Sequence, residues 1–448
     1  MICAPRIWSF SLSHLNITLL RAYQDTTLDC LTVQVVPKQK LLRKFYHLII
    51  SGAVFLFFIS LLLPCPSSAG ELPELQEYIH NGGYALSKNG KTLFSKNLTT
   101  NFIPASTLKL VTSLAVLEIL GSKHVFSTEL YFDSKSTLYI KGGGDPFLVS
   151  EKIRTITRLI SEQGITEIND IVLDDTAFAL EQEFTDGSVN SSNPYDARCT
   201  ALGVNFNTVP LKVLHKAKVE SPEAQTPYLK IMGAIGKNLT SGYHRVNVDA
   251  FPLQNELSNN LLYSGQLFQT LLEEQGIRIN GQIKQGSVPL DVPLVLKYFA
   301  KETMSELVES CLLSSNNFMV NQLYLAIGVK QYGFPATWEK SQKAMADFIH
   351  NSLGLTDTQI IMIEGSGLSK NNRITPEALL IVLERFKPYA SLVPIKYGVQ
   401  MKSGTLRKSG VFCYAGYINR GKNKNSFVIL LNQKKNTRDA ILKLLYGK

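Results

Sequence analysis

Cysteine is sparse and shows no pairing pattern. Of six, only Cys199, Cys311 and Cys413 lie beyond residue 69, far apart and without C-x-x-C spacing. An odd, unclustered set excludes a disulfide framework, and buried free thiols are the expectation. The seven histidines contain no H-x-H or H-x-x-x-H pair. A zinc site is therefore unsupported, and no residue pattern calls for a cofactor. Low-complexity tracts, heptads and internal repeats are also missing. Charge is thin: 18% of the 448 residues, against ~25% in ordinary soluble proteins. Against these absences stands a hydrophobic fraction of 45%, enough to bury more than one core. That length is too great for a single ordinary domain, so two are expected.

The chain also lacks an apolar run of spanning length. The strongest run, from Leu48 to Leu63, is shorter than the ~20 residues a transmembrane helix needs. Lys38, Lys40, Arg43 and Lys44 precede it, and Pro64 and Ser67-Ser68-Ala69 follow it. Basic flank, short apolar core and small residues describe a secretory signal cut after Ala69. Residues 1–69 are read as a presequence, an uncut membrane anchor and a lipoprotein on Cys65 being the alternatives, and the location as periplasmic or otherwise extracytoplasmic. Removing its six basic and two acidic residues leaves 40 basic and 34 acidic, a net charge of +6. A mildly positive surface suits an anionic wall polymer or peripheral association with a membrane. Export and the absence of any nucleic-acid motif exclude a nucleic-acid partner.

Hydrophobic patterning divides the rest. Asn89-Gly90 between two alternating runs predicts a hairpin over residues 83–95. A helix over 105–120 follows, with Leu108, Val111, Leu114, Ala115 and Leu117 at helical spacing and Ser106 in its first turn. From about 126 to 292 short β-rich runs such as 137–141, 170–173, 228–231 and 277–283 alternate with turn residues. Helices are expected there at 149–163 and 264–275. This stretch reads as an inserted domain, with 70–125 and 293–448 as the catalytic one. Helices return at 305–313, 317–327, 336–353 and 376–386. Strands at 398–406, 411–417 and 426–431 come next, 421–425 being a polar turn, and a helix over 438–446 closes the chain. The expected class is α/β, an antiparallel sheet with helices on both faces, carrying a large β-rich insertion.

Three short motifs carry chemistry. Ser106-Thr107-Leu108-Lys109 sets a hydroxyl and an amine three residues apart, on one helical face. Burial lowers a lysine pKa, and a neutral lysine can activate a serine. Ser315-Asn316-Asn317 adds a second hydroxyl, able to relay a proton to a leaving amine, and an amide able to bind a peptide carbonyl. Lys402-Ser403-Gly404-Thr405 opens a strand that can pair with an extended peptide. Gly404 admits that backbone closely, and Lys402 and Ser403 can hold a terminal carboxylate. Singly, each has an ordinary structural explanation: a helix N-cap followed by a solvated lysine, a second N-cap, an edge strand. Lys408-Ser409-Gly410 rivals the third motif but lacks the threonine. The ordered trio is far more specific, being the S-x-x-K, S-D-N, K-T-G set of penicillin-recognising serine enzymes.

With these motifs in that order the chain resembles the class C, low-molecular-mass penicillin-binding proteins, the D-alanyl-D-alanine carboxypeptidase/endopeptidases. The likeness runs from about Gly83 onward. It includes PASTLKL at 104–110, GGGDP at 142–146, DIVLDDTAF at 170–178, SSNNFMVNQL at 314–323 and GSGLSKNNRIT at 365–375. The resemblance implies a transpeptidase-like sandwich fold and hydrolysis of D-Ala-D-Ala through an acyl-enzyme. It makes Ser106 the nucleophile, Lys109 its base and Ser315 and Asn317 the second motif. Lys402, Ser403, Gly404 and Thr405 form the third, with the backbone N–H groups of Ser106 and Thr405 as oxyanion hole. It names peptidoglycan stems and cross-links as substrate and β-lactams as inhibitors. Alternatives are a catalytically impaired wall-binding pseudoenzyme and a β-lactamase. Three departures stand out: Ser403 replaces the usual threonine, Glu364 the usual aspartate before Gly-Ser-Gly, and the stretch 376–401 is short.

Overall fold

A computed structural model describes residues 70–448 apart from 183, 216, 217 and 422. The presequence lies outside the described residues. Six strands form one antiparallel sheet: β1 (Gly82–Lys88), β2 (Lys91–Lys96), β3 (Ile395–Lys396), β4 (Val399–Leu406), β5 (Val411–Arg420) and β6 (Asn423–Asn432). Their spatial order is β3-β4-β5-β6-β1-β2, so the first hairpin closes onto the last strand. The β1–β2 turn follows its chemistry, Asn89 and Gly90 both taking positive φ, as a type I′ turn requires. β5 and β6 run on to pair Arg420 with Asn423. Most of the polar 421–425 run is therefore strand, not turn.

Alternation splits the sheet into two faces. Ala85, Cys413, Ala415, Tyr417, Val428 and Leu430 join one core. That core is completed by the helices α1 (Lys109–Ala115), α2 (Met304–Ser314), α3 (Asn317–Tyr332) and α4 (Pro376–Phe386). Tyr84, Leu86, Met401, Tyr414, Phe427 and Ile429 face the other way. They pack on α5 (Arg438–Tyr446) and the short turn Pro73–Tyr78. The helix ends are legible chemically. Thr303 and Glu306 form a reciprocal capping box at α2, and Thr375 caps α4 just before Pro376. The 105–120 helix is more irregular than its periodicity suggests. It opens as a 3₁₀ turn, Ala105–Leu108, and ends in a wide π turn, Val116–Leu120.

The region after α1 has its own core. Five strands run in the order Ile283–Gln285, Ile171–Asp174, Leu138–Gly142, Ser127–Phe132, Leu294–Phe299. A separate three-stranded sheet centres on Thr208–Val213. Helices Ser150–Ser161 and Asn259–Glu274 cover them. Leu294–Phe299 pairs with Ser127–Phe132, so this sheet extends past residue 292. Two runs differ from expectation. Residues 228–231 are not a strand: Ile231, Met232 and Ile235 are buried at helical spacing in the helix Lys230–Gly236. The run 277–283 is two short strands, Arg278–Ile279 and Ile283–Gln285, on different partners, because Asn280-Gly281 interrupts it. Among the described residues no helix is long and apolar enough to cross a membrane.

Candidate active site

The 3₁₀ turn that carries Ser106 is held from two sides by glycines. Ala105 adopts a left-handed φ of 46°, a conformation a non-glycine residue keeps only when its surroundings enforce it. A Cβ on Gly367 would lie 1.9 Å from the Ala105 carbonyl oxygen. One on Gly404 of β4 would lie 2.7 Å from the Pro104 carbonyl oxygen and 2.9 Å from the Ser106 nitrogen. Only glycine lets the loop and the strand approach the serine this closely. As a first-turn amide, the Ser106 N–H has no acceptor one helical turn back.

Lys109 is fully buried. Its Nζ lies 3.2 Å from Ser106 Oγ, 2.7 Å from Asn317 Oδ1 and 2.7 Å from the Ser366 carbonyl oxygen. A neutral amine has two N–H groups and one lone pair. The amide oxygen and the carbonyl oxygen take the two N–H groups, and the lone pair is left for the Ser106 hydroxyl. Burial lowers the lysine to about 8, and the Glu364 carboxylate opposes the shift. Cys311 beside it is itself pushed up to about 12 by burial. That thiol stays neutral at physiological pH and does little to hold the ammonium.

The second and third motifs meet opposite. Ser315 ends α2 in the left-handed conformation, and Asn316, not Ser315 or Asn317, caps α3 by accepting from Met319 N–H. The capping duty falls on the middle residue, so its neighbours are free to face the cleft. Lys402, nearly fully buried, sits 2.8 Å from Ser315 Oγ. Its pKa falls to about 7 through burial first, then repulsion by Lys109 and Lys396. Thr405 is exposed on the same strand and accepts from Arg438, which also donates to the Gly404 carbonyl. Ser403 is half-buried, and its carbonyl accepts from Lys402. Lys408 lies in the turn Arg407–Ser409 beyond the end of β4 and is exposed. Lys402, not Lys408, reaches the second serine.

Sequence reasoning missed two sets of residues. Asn317 Nδ2 donates to the Tyr195 carbonyl, and Tyr195, Phe206, Thr208 and Arg245 line a cavity of about 540 Å³ beside Ser315–Asn317. These lie 70 residues or more from the nearest motif, with no spacing to betray them. The second set is the 364–372 loop behind Lys109. The GSGLSKNNRIT segment at 365–375 and Glu364 in place of the usual aspartate marked this loop in the sequence without giving it a role.

A sheet with helices on both faces, interrupted after its first helix by a β-rich insertion, defines the penicillin-binding, transpeptidase-like fold. Penicillin-binding protein 4 (dacB) from Haemophilus influenzae superposes with a TM-score of 0.68 at 20% identity, covering 84% of this chain and 97% of that one. The chain belongs to the D-Ala-D-Ala carboxypeptidase 3 (S13) family, whose model matches residues 80–392. It is 26% identical over 334 residues to a D-alanyl-D-alanine carboxypeptidase of Actinomadura sp. (strain R39), covering 66% of this chain and 62% of that one. It is 24% identical over 376 residues to the H. influenzae D-alanyl-D-alanine carboxypeptidase DacB, covering 75% and 78%. The chain thus spans somewhat under two thirds of the Actinomadura enzyme's length.

Proposed function

We propose that this protein is a serine-type D-Ala-D-Ala carboxypeptidase/endopeptidase of peptidoglycan that acts outside the cytoplasm and is inhibited by β-lactams. The observation that carries the reading is the fully buried Lys109 Nζ, held by the Asn317 amide oxygen and the Ser366 carbonyl and 3.2 Å from Ser106 Oγ. Family membership and the likeness to a structure solved with a β-lactam support it.

On this reading Ser106 Oγ attacks the carbonyl carbon of the scissile bond and gives its proton to Lys109. The oxyanion is met by the backbone N–H groups of Ser106 and Thr405, an arrangement that stabilises the developing charge. As the C–N bond breaks, the leaving amine takes a proton through Ser315, which Lys402 holds. The acyl group remains as an ester on Ser106 until water releases it. Asn317 binds the peptide carbonyl next to the scissile bond. Lys402, Ser403 and Thr405 receive the terminal carboxylate, and Gly404 keeps the strand against the serine. Residues 70–125 and those beyond the strand Leu294–Phe299 form the catalytic part. The insertion, from 126, walls the cleft through Tyr195, Phe206 and Arg245.

Labelled penicillin should become covalently attached to the peptide containing Ser106, and Ser106→Ala should remain unlabelled. The wild-type protein should release D-alanine from a pentapeptide stem. A folded wild-type protein that neither labels nor hydrolyses would defeat the proposal, and rapid release of hydrolysed penicillin would make it a β-lactamase.

A further inference from the structure

We propose that Glu364 is a positioning residue for the Ser106–Lys109 pair, acting through the Ser366 carbonyl and through its own charge. Its carboxylate is nearly fully buried and accepts six hydrogen bonds. Oε2 receives Ser366 N–H at 2.7 Å, Ser366 O–H at 2.5 Å and Asn321 Nδ2 at 3.1 Å. Oε1 receives Gly367 N–H at 2.8 Å, Ser369 N–H at 3.2 Å and Asn372 Nδ2 at 2.8 Å. One side chain thereby dictates the path of the loop from 364 to 372.

That path has a catalytic consequence. The loop is tied to α3 by the Asn321 oxygen, which accepts from Gly365 N–H, and to α1 by Thr112, which donates to the Gly365 carbonyl. The Ser366 carbonyl is then delivered 2.7 Å from Lys109 Nζ. Gly367 meanwhile abuts the Ala105 carbonyl, one residue from the nucleophile. If the loop relaxed, Lys109 would lose one of its two N–H acceptors, and its lone pair would no longer be confined to Ser106. The arrangement needs an acceptor with two oxygens. A glutamine would offer one oxygen and turn an NH₂ group toward backbone donors.

The charge acts as well. Facing Lys109 are Glu364 from the loop, Cys311 from α2 and Lys402 from β4. Facing Glu364 are Lys109, Cys199 and Tyr324. Cys199 and Tyr324 are pushed upward by burial and remain neutral. Glu364 is therefore the counter-charge that keeps Lys109 from falling further, and so keeps it a strong enough base.

The inference rests on Lys109 being the base, and the test separates the two. The rate of acylation by labelled penicillin is measured against pH for wild type, Glu364→Gln, Glu364→Asp and Asn321→Leu, with folding checked by circular dichroism. Glu364→Gln should lower the plateau ~10-fold or more and move the acid limb about one unit toward lower pH. Glu364→Asp keeps the charge and should return the limb to near the wild-type position. Asn321→Leu removes one donor to Glu364 and the acceptor for Gly365 N–H, but not the charge. It should lower the plateau several-fold with the limb unmoved, and it keeps the test decisive if Glu364→Gln does not fold. A Glu364→Gln limb that stays in place, or an unchanged rate in Asn321→Leu, would overturn the proposal. A wild-type rate that is flat through pH 8 would instead overturn the role of Lys109 as base.

Discussion

Two buried lysines within one cleft carry a cost in stability that depends on pH. Each would rather be neutral when folded, Lys402 at about 7 and Lys109 at about 8, whereas an unfolded lysine stays charged to ~10.4. Between those values folding releases a proton, so stability rises with pH through the window. The penalty is fully present below pH 7 and gone above the unfolded value. Lys402→Met should accordingly raise stability, most of all near pH 6, with a gain that shrinks by pH 10. Denaturant titrations of both proteins at the two pH values check this. A gain that grew with pH would show that Lys402 is held as an ammonium. Ser106 and Lys109 were legible because one helical turn sets their relation, and a motif of four residues contains it. Glu364 was not, since its role is defined by six donors spread from Asn321 to Asn372. In one dimension it registers only as a glutamate where aspartate is usual before Gly-Ser-Gly.

Strand β4 shows how an element converts register into chemistry. It pairs with β5 from Gln400↔Tyr417 to Leu406↔Val411. Alternation in that ladder sends Met401 to the α5 side and Lys402 toward Ser315. Gly404 then lets the strand lie against the serine turn. Its missing Cβ would meet backbone atoms of Pro104, Ser106 and Thr107, all within 3.0 Å, and backbone cannot swing aside as a side chain can. Gly404→Ala should leave the secondary structure intact and lower the penicillin acylation rate by at least ~100-fold, because displacing a reacting group by about 1 Å costs that much. Stopped-flow labelling with circular dichroism tests it, and a near-normal rate would mean that the turn yields freely. The long helices and the three late strands were legible from period and capping chemistry: Thr303 with Glu306, Thr375 before Pro376. Residues 228–231 were not, because a short apolar run fits either period and only the packing of Ile231, Met232 and Ile235 decides. The Ser315-Asn316-Asn317 triplet was half legible. Any of the three could cap a helix, and the capping geometry alone assigns that duty to Asn316.

Across the whole molecule, the insertion is tied to the catalytic helices by hydrogen bonds as well as by packing. Gln322, fully buried in the middle of α3, donates to the Thr200 carbonyl at 2.9 Å and the Gly144 carbonyl at 3.4 Å. Backbone bonds join Ala177 and Ala179 to Ala336, Glu181 accepts from Trp338 N–H, and Asp186 accepts from Ser369 and Asn371. Asn317, which touches Lys109, also holds Tyr195 of the insertion. This coupling was invisible in the sequence, since Gln322 lies 122 residues from Thr200 and the SSNNFMVNQL segment that holds it does not say what it binds. It has a consequence for the fold as a unit. Gln322→Leu fits the helix but leaves two buried carbonyls without a donor, at a cost of about 1–3 kcal/mol each. The Gln322 oxygen has no partner of its own among the described residues, so its removal offsets part of that loss. The variant should melt several degrees lower, and amides of the insertion helix Asn259–Glu274 should exchange faster along with those of α3. If only α3 exchanged faster, the insertion would be an independent unit, and its contacts with the catalytic part would serve the cleft without stabilising the fold.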